Sequence, residues 1–178
     1  MKQSWILLLF AVILTTSCLS VKSSGSRGAK KLFASYYSGA GSTQYFIKPL
    51  EFDSPKQDFT LLADFTFRYK DNLDSLVTVN YNLKGNQLIN QVEALYLISG
   101  KDTIRMEDHL RLFKDKMRKD LATRYSSSMS LRELKAAMSN SEWRWLLETT
   151  EMSIQFACPT KTGKKIRSLE KNLFVLID

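Results

Sequence analysis

The sequence predicts an α+β domain, an antiparallel β-sheet or sandwich with two inserted helices, and three stretches carry that expectation. In Phe59, Leu61, Ala63, Phe65, Phe67 and Tyr69 every second residue is apolar, with Thr60, Asp64, Thr66 and Arg68 between them. A period of two puts such residues on one face of a half-buried strand. After a polar turn containing Asp71-Asn72, Val77, Val79, Tyr81 and Leu83 alternate with Thr78, Asn80 and Asn82, which makes this run an antiparallel partner for the first. From Met106 the spacing changes. Met106, Leu110, Phe113, Met117, Leu121 and Tyr125 recur at steps of three and four, the spacing of one helical face.

The remaining elements follow in chain order. From Lys31 the chain is apolar and aromatic; Ser38-Gly39-Ala40-Gly41-Ser42 reads as a loop, and Tyr45 to Phe52 as an irregular extended segment broken by Pro49. Lys84-Gly85-Asn86 ends the second strong strand, Val92 to Ile98 is a third extended run, and Ser99-Gly100-Lys101-Asp102 is a tight turn into a short strand around Ile104. On the helix expected from Met106, Glu107–Arg111, Asp115–Lys119 and Asp120–Arg124 have i,i+4 spacing, worth about 0.2–0.5 kcal/mol each. A second, shorter helix starts at Ser130, where Ser-Leu-Arg-Glu forms a capping box with Glu133, and Asn140 is its stop.

Trp143 to Phe156 returns to strand character. Trp143, Trp145 and Leu147 share one face, whereas Met152, Ile154 and Phe156 have the opposite phase. A slip of one residue swaps faces, so a bulge or break is expected between Glu148 and Glu151. Pro159 to Lys165 reads as a polar loop and Leu173 to Ile177 as a terminal strand.

The first residues carry a different signal. Lys2 is followed by an unbroken apolar run, Trp5 to Leu14, and then by Thr15, Thr16, Ser17 and Cys18. The run is short of the roughly 20 residues that a membrane-crossing helix needs, and it suits the apolar stretch of an export signal. Small residues leading to a cysteine make Leu14 to Cys18 resemble the lipobox of bacterial lipoproteins, and the whole chain resembles small lipoproteins of Bacteroides-type bacteria. The box departs from the usual pattern in one place: Thr15 stands three residues before the cysteine, where the family usually has Leu.

The resemblance implies a signal peptide over residues 1–17, a lipidated Cys18 carrying a diacylglycerol thioether and an N-acyl chain, and no other cofactor. It also implies the outer membrane, because Leu19 replaces the Asp that retains such proteins at the inner membrane. With no acidic cluster after Cys18, a periplasm-facing position is expected. The competing expectation is an ordinary signal-peptidase cut that releases a soluble periplasmic or secreted protein. Under the lipoprotein reading residues 18–30 form the lipidated cysteine and a flexible tether rich in Ser, Gly and charge, and residues 31–178 a single globular domain.

The formal net charge is +8. Between residues 18 and 40 stand Lys22, Arg27, Lys30 and Lys31 without an acid, a basic tether suited to anionic headgroups or simply a solvated linker. With Cys18 acylated or removed, Cys158 has no disulfide partner and reads as a buried, inert thiol. One histidine, His109, gives no zinc-ligand spacing, and there is no G-x-S-x-G nucleophile elbow. Gly39 and Gly41 lack the third glycine of a dinucleotide loop, and Lys161 to Lys165 lacks the rest of a P-loop. No nucleic-acid module is recognisable, so no nucleic acid is expected as a partner.

Two functions follow. The first is a non-enzymatic, membrane-anchored envelope lipoprotein that holds a protein partner through its sheet face, sheet edge or basic helix. The second is a glycan or small-ligand binder, or less readily a hydrolase, using Trp143 and Trp145 as an aromatic platform. Against the second stands burial in the core, the usual fate of tryptophan. Tyr36, Tyr37 and Tyr45 near the glycine loop form a weaker aromatic surface of the same kind.

Overall fold

The computed structural model describes residues 32–39, 41–70, 75–117 and 120–177. The export signal, Cys18 and the tether lie outside the described residues.

β1 (Phe33–Gly39) and β2 (Ser42–Ser54) form a hairpin whose turn is flanked by Gly39 and Gly41, both at positive φ. Pro49 breaks β2 as its missing N–H requires: the register skips between Ile47 and Leu50, and the bulge keeps Tyr45, Ile47, Leu50 and Phe52 all facing inward. The two alternating runs become β3 (Phe59–Tyr69) and β4 (Leu76–Gly85), paired in register from Thr60↔Lys84 to Phe67↔Val77. β5 (Ala94–Ser99) and β6 (Asp102–Arg105) form a tight hairpin with Gly100 at positive φ in its turn.

The helix expected over Met106 to Tyr125 is instead a second long hairpin, β7 (Glu107–Met117) and β8 (Asp120–Ser130). The register of β7 shifts between Glu107 and Leu110 and again between Arg111 and Phe113. Each bulge inserts a residue and so lengthens a step of two, which is why a strand imitates the helical spacing. The expected i,i+4 pairs therefore do not form on a helix; Arg124 instead pairs with Asp64.

α1 (Leu131–Met138) begins at Ser130 with the expected capping box, Ser130 Oγ accepting from the Glu133 N–H and Glu133 accepting from the Ser130 N–H. β9 (Trp143–Glu148) and β10 (Ser153–Ala157) flank the expected break, with Leu147 opposite Ile154 and both buried. The expected polar loop at Pro159 is the start of α2 (Thr160–Asn172), which buries Ile166 and Leu169. The expected terminal strand is a 3₁₀ helix, Phe174–Ile177, with its first and last residues buried.

The antiparallel strands run in the order β6-β5-β9-β10-β2-β3-β4-β8-β7, with β1 also on β2. β2 is shared along its length: its first half pairs with β1, and near its end Asp53 alone pairs with β10. The first and last strands of this order, β6 and β7, are consecutive in the chain and separated only by Met106, whose N–H donates to the Leu95 carbonyl at 2.8 Å. The sheet is thus a curled half-barrel whose ends meet at one corner. Its inner face, α1, α2 and the 3₁₀ helix share one apolar cluster that extends from Phe33 to Ile177.

Candidate functional site

Of the two readings of Trp143 and Trp145, surface platform or core, the structure shows the core. β9 is paired on both sides, by β5 and β10, and its alternation turns both rings inward, leaving them 1% and 0% exposed. Phe52 lies parallel to Trp143 at 6.2 Å and edge-on to Trp145 at 5.9 Å. Trp143 Nε1 donates to the Ala137 carbonyl at 2.8 Å, which also accepts from Ser99 Oγ. Trp145 Nε1 is buried with no hydrogen-bond partner among the described residues. Of the tyrosines near the glycine turn, Tyr36 and Tyr37 are exposed, whereas Tyr45 is buried and stacked on Phe67.

His109 sits in the first bulge of β7, beside Asp108 at positive φ. Its Nδ1 lies 3.1 Å from the Tyr81 hydroxyl and 3.3 Å from Ser127 Oγ. Ser127 donates its proton to the Glu107 carbonyl rather than to the imidazole, so the pair is not wired as nucleophile and base. Burial, aided by Arg105, holds the imidazole below its ordinary pKa. The imidazole thereby ties the bulge to Tyr81.

Cys158 is half-buried at a shallow cleft of about 480 Å³ that Arg144 and Arg167 also line. Burial pushes its thiol pKa up against the opposing pull of the Trp143 N–H and Arg167, so the sulfur stays protonated. Arg167 donates to Ser141 Oγ at 2.8 Å. Among the described residues no group of three His, Cys, Asp or Glu side chains is placed to hold a metal.

The exposed feature that stands out is β7, which ends the sheet and pairs only with β8. Leu110, Leu112 and Phe113 are 64%, 45% and 52% exposed. Edge strands are ordinarily blunted by bulges and charges. β7 has two bulges and the side chains of Arg111, Lys114 and Lys116, yet it still turns three large apolar groups to solvent. Arg111 and Lys114 are drawn to Asn90, the first to its carbonyl and the second to its side-chain oxygen.

Leu110 is opposite Ser126 and Phe113 opposite Arg124, so both sit beside a polar ladder on the outer face of the sheet. There Arg124 donates to Asp64 at 2.8 Å and to Asn82 at 3.1 Å, and Asn80 donates to Asp64 at 3.1 Å. The result is an outer face with an apolar border and a fixed guanidinium next to it. Sequence spacing assigned Leu110 and Phe113 to the buried stripe of a helix. The signal for the surface was a pair of bulges, which side-chain periodicity alone does not reveal. Searches of known protein families, curated proteins and solved structures give no match to this chain.

Proposed function

We propose that the chain is a membrane-anchored interaction module of the cell envelope that works without turnover. Cys18 carries the lipid in this reading, a diacylglycerol thioether plus an N-acyl chain, and holds the domain on the periplasmic side of the outer membrane. The partner is an envelope protein that adds an extended segment to β7, where main-chain pairing gives affinity and apolar contacts give specificity. The observation that supports this best is the one-sided pairing of β7 together with the exposure of Leu110, Leu112 and Phe113. Contiguous apolar exposure of this kind marks contact surfaces on proteins. The glycan-binding alternative loses its support with Trp143 and Trp145 in the core.

Two measurements test the two halves of the reading. Intact mass of the protein from native membranes is expected to start at Cys18 with added acyl mass, and to lose that mass in Cys18→Ala. A lipid-free protein beginning elsewhere would make it soluble and exported. Leu110→Ser with Phe113→Ser is expected to release a co-purifying envelope partner while the melting temperature holds. Retention of the partner by this variant would move the interface off β7.

A further inference from the structure

A second set of exposed apolar side chains gathers at one end of the half-barrel. β1 turns into β2 there, β3 ends at Tyr69, β4 begins at Leu76, and β8 runs into α1 at Ser130. The registers join Tyr36 to Gln44, Gln44 to Arg68, Phe67 to Val77 and Leu76 to Ser130, so Tyr36, Arg68 and Leu76 cross the outer face in one band. Phe46 lies one step below, its ring edge-on to Tyr36 at 5.7 Å. The 3₁₀ helix reaches the same end, because Phe174 stacks on Phe67 at 6.2 Å and Lys135 of α1 donates to the Ile177 carbonyl at 2.9 Å. Tyr36, Tyr37, Phe46, Leu76, Val175 and Leu176 are all exposed here, and the other exposed large apolar groups among the described residues belong to β7.

We propose that this end rests on the bilayer, with its aromatic and aliphatic rim at the level of the headgroups. The proposal builds on the reading that Cys18 is acylated. Residues 19–32 separate that cysteine from Phe33, and a chain of this length reaches at most about 45–50 Å when extended. Phe33 is six residues from the hairpin turn at Gly39, about 20 Å along the strand. The tether is therefore long enough to let the rim meet the membrane.

Lys22, Arg27, Lys30 and Lys31 draw the tether to anionic headgroups. Apolar contact makes the hold, and the tether brings it about. Tyrosine suits this depth because its apolar ring can enter the headgroup region while its hydroxyl stays wet. With this end down, the apolar groups of β7 stand along the side of the domain, open to a partner.

The test uses protein purified from native membranes, in a Cys158→Ser background, reconstituted in vesicles of phosphatidylethanolamine and phosphatidylglycerol. A bimane label is attached at Phe46→Cys or Leu76→Cys, and for comparison at Lys56→Cys in the turn at the opposite end, and is quenched by nitroxide-bearing lipid. Blue-shifted emission and strong quenching at 46 and 76, with neither at 56, is the expected result. Acylated protein that floats with the vesicles but shows equal quenching at all three sites overturns the proposal and leaves the anchor intact. Protein with no acyl mass that does not float overturns both. Two rim sites are used so that a folding defect in one variant does not decide the outcome.

Discussion

β9 and β7 use their large apolar side chains in opposite ways. β9 is paired on both sides, and its strict alternation sends Trp143, Trp145 and Leu147 into the core. β7 is paired on one side, and its two bulges leave Leu110, Leu112 and Phe113 in solvent. Burying one such side chain stabilises a fold by roughly 1.5–3 kcal/mol, a gain that β7 forgoes three times. The difference teaches that hydrophobicity by itself does not mark the core: pairing on both sides enforces the alternation that makes an apolar strand structural. A bulged edge escapes that constraint and can spend its apolar residues on contacts outside the domain.

The largest effect expected from this comparison is in β9. Trp143→Ala should cost about 3–5 kcal/mol in denaturant unfolding, through the cavity it opens and the lost bond to the Ala137 carbonyl. A loss below about 1 kcal/mol would mean that the ring is not part of the core. Within β9, Trp143→Phe and Trp145→Phe remove similar volume but different polar groups. The first loses a buried hydrogen bond and the second removes an indole N–H that has no partner. Trp143→Phe should therefore be more destabilising by about 1–2 kcal/mol, and equal costs would count against the hydrogen-bond argument.

A smaller, pH-dependent effect belongs to β7. His109 is held below the ordinary imidazole pKa of about 6.5, so as pH falls the unfolded chain takes up the proton first. The stability contributed by neutral His109 is complete above that value and is lost as pH falls toward the folded pKa. Hydrogen exchange in Glu107–Met117 should rise on mild acidification before it rises in Trp143–Glu148, and His109→Gln should flatten the response. No difference between the strands would detach the bulge from the histidine. The smallest effect is expected from Leu110→Ser and Phe113→Ser, which should stay within about 0.5 kcal/mol of the parent, as exposed positions do. A larger loss would make β7 a structural strand after all.

How far the residues alone foretell the molecule follows from the same contrast. Phe59 to Tyr69 and Val77 to Leu83 were readable because both strands are unbroken, with one face buried and the other polar. The capping box at Ser130 was readable because it is local, and so was the break after Glu148, where the phase of buried residues changes. Met106 to Tyr125 misled because two bulges stretch the spacing between Glu107 and Phe113, and the steps of four after it suit a strand as well as a helix. α2 was hidden by its lysines and by Gly163, whose small size matters because a Cβ there would come within 3.3 Å of the Ser141 carbonyl. The 3₁₀ helix reads as a strand because four residues with buried ends and exposed centre are too few to show a period. Trp143 and Trp145 read as either a platform or core, with core the usual fate of tryptophan, and pairing on both sides of β9 puts both rings inside.

The most direct test of β7 as the contact strand is site-specific photo-crosslinking in intact cells. A photoreactive residue is placed at Phe113 and, for comparison, at exposed Arg144 on the outer side of β9. A discrete product of higher mass from position 113, absent from 144 and lost with Leu110→Ser in the same chain, is the predicted result. Products of equal yield from both positions, or none from 113 while 144 gives one, would contradict it.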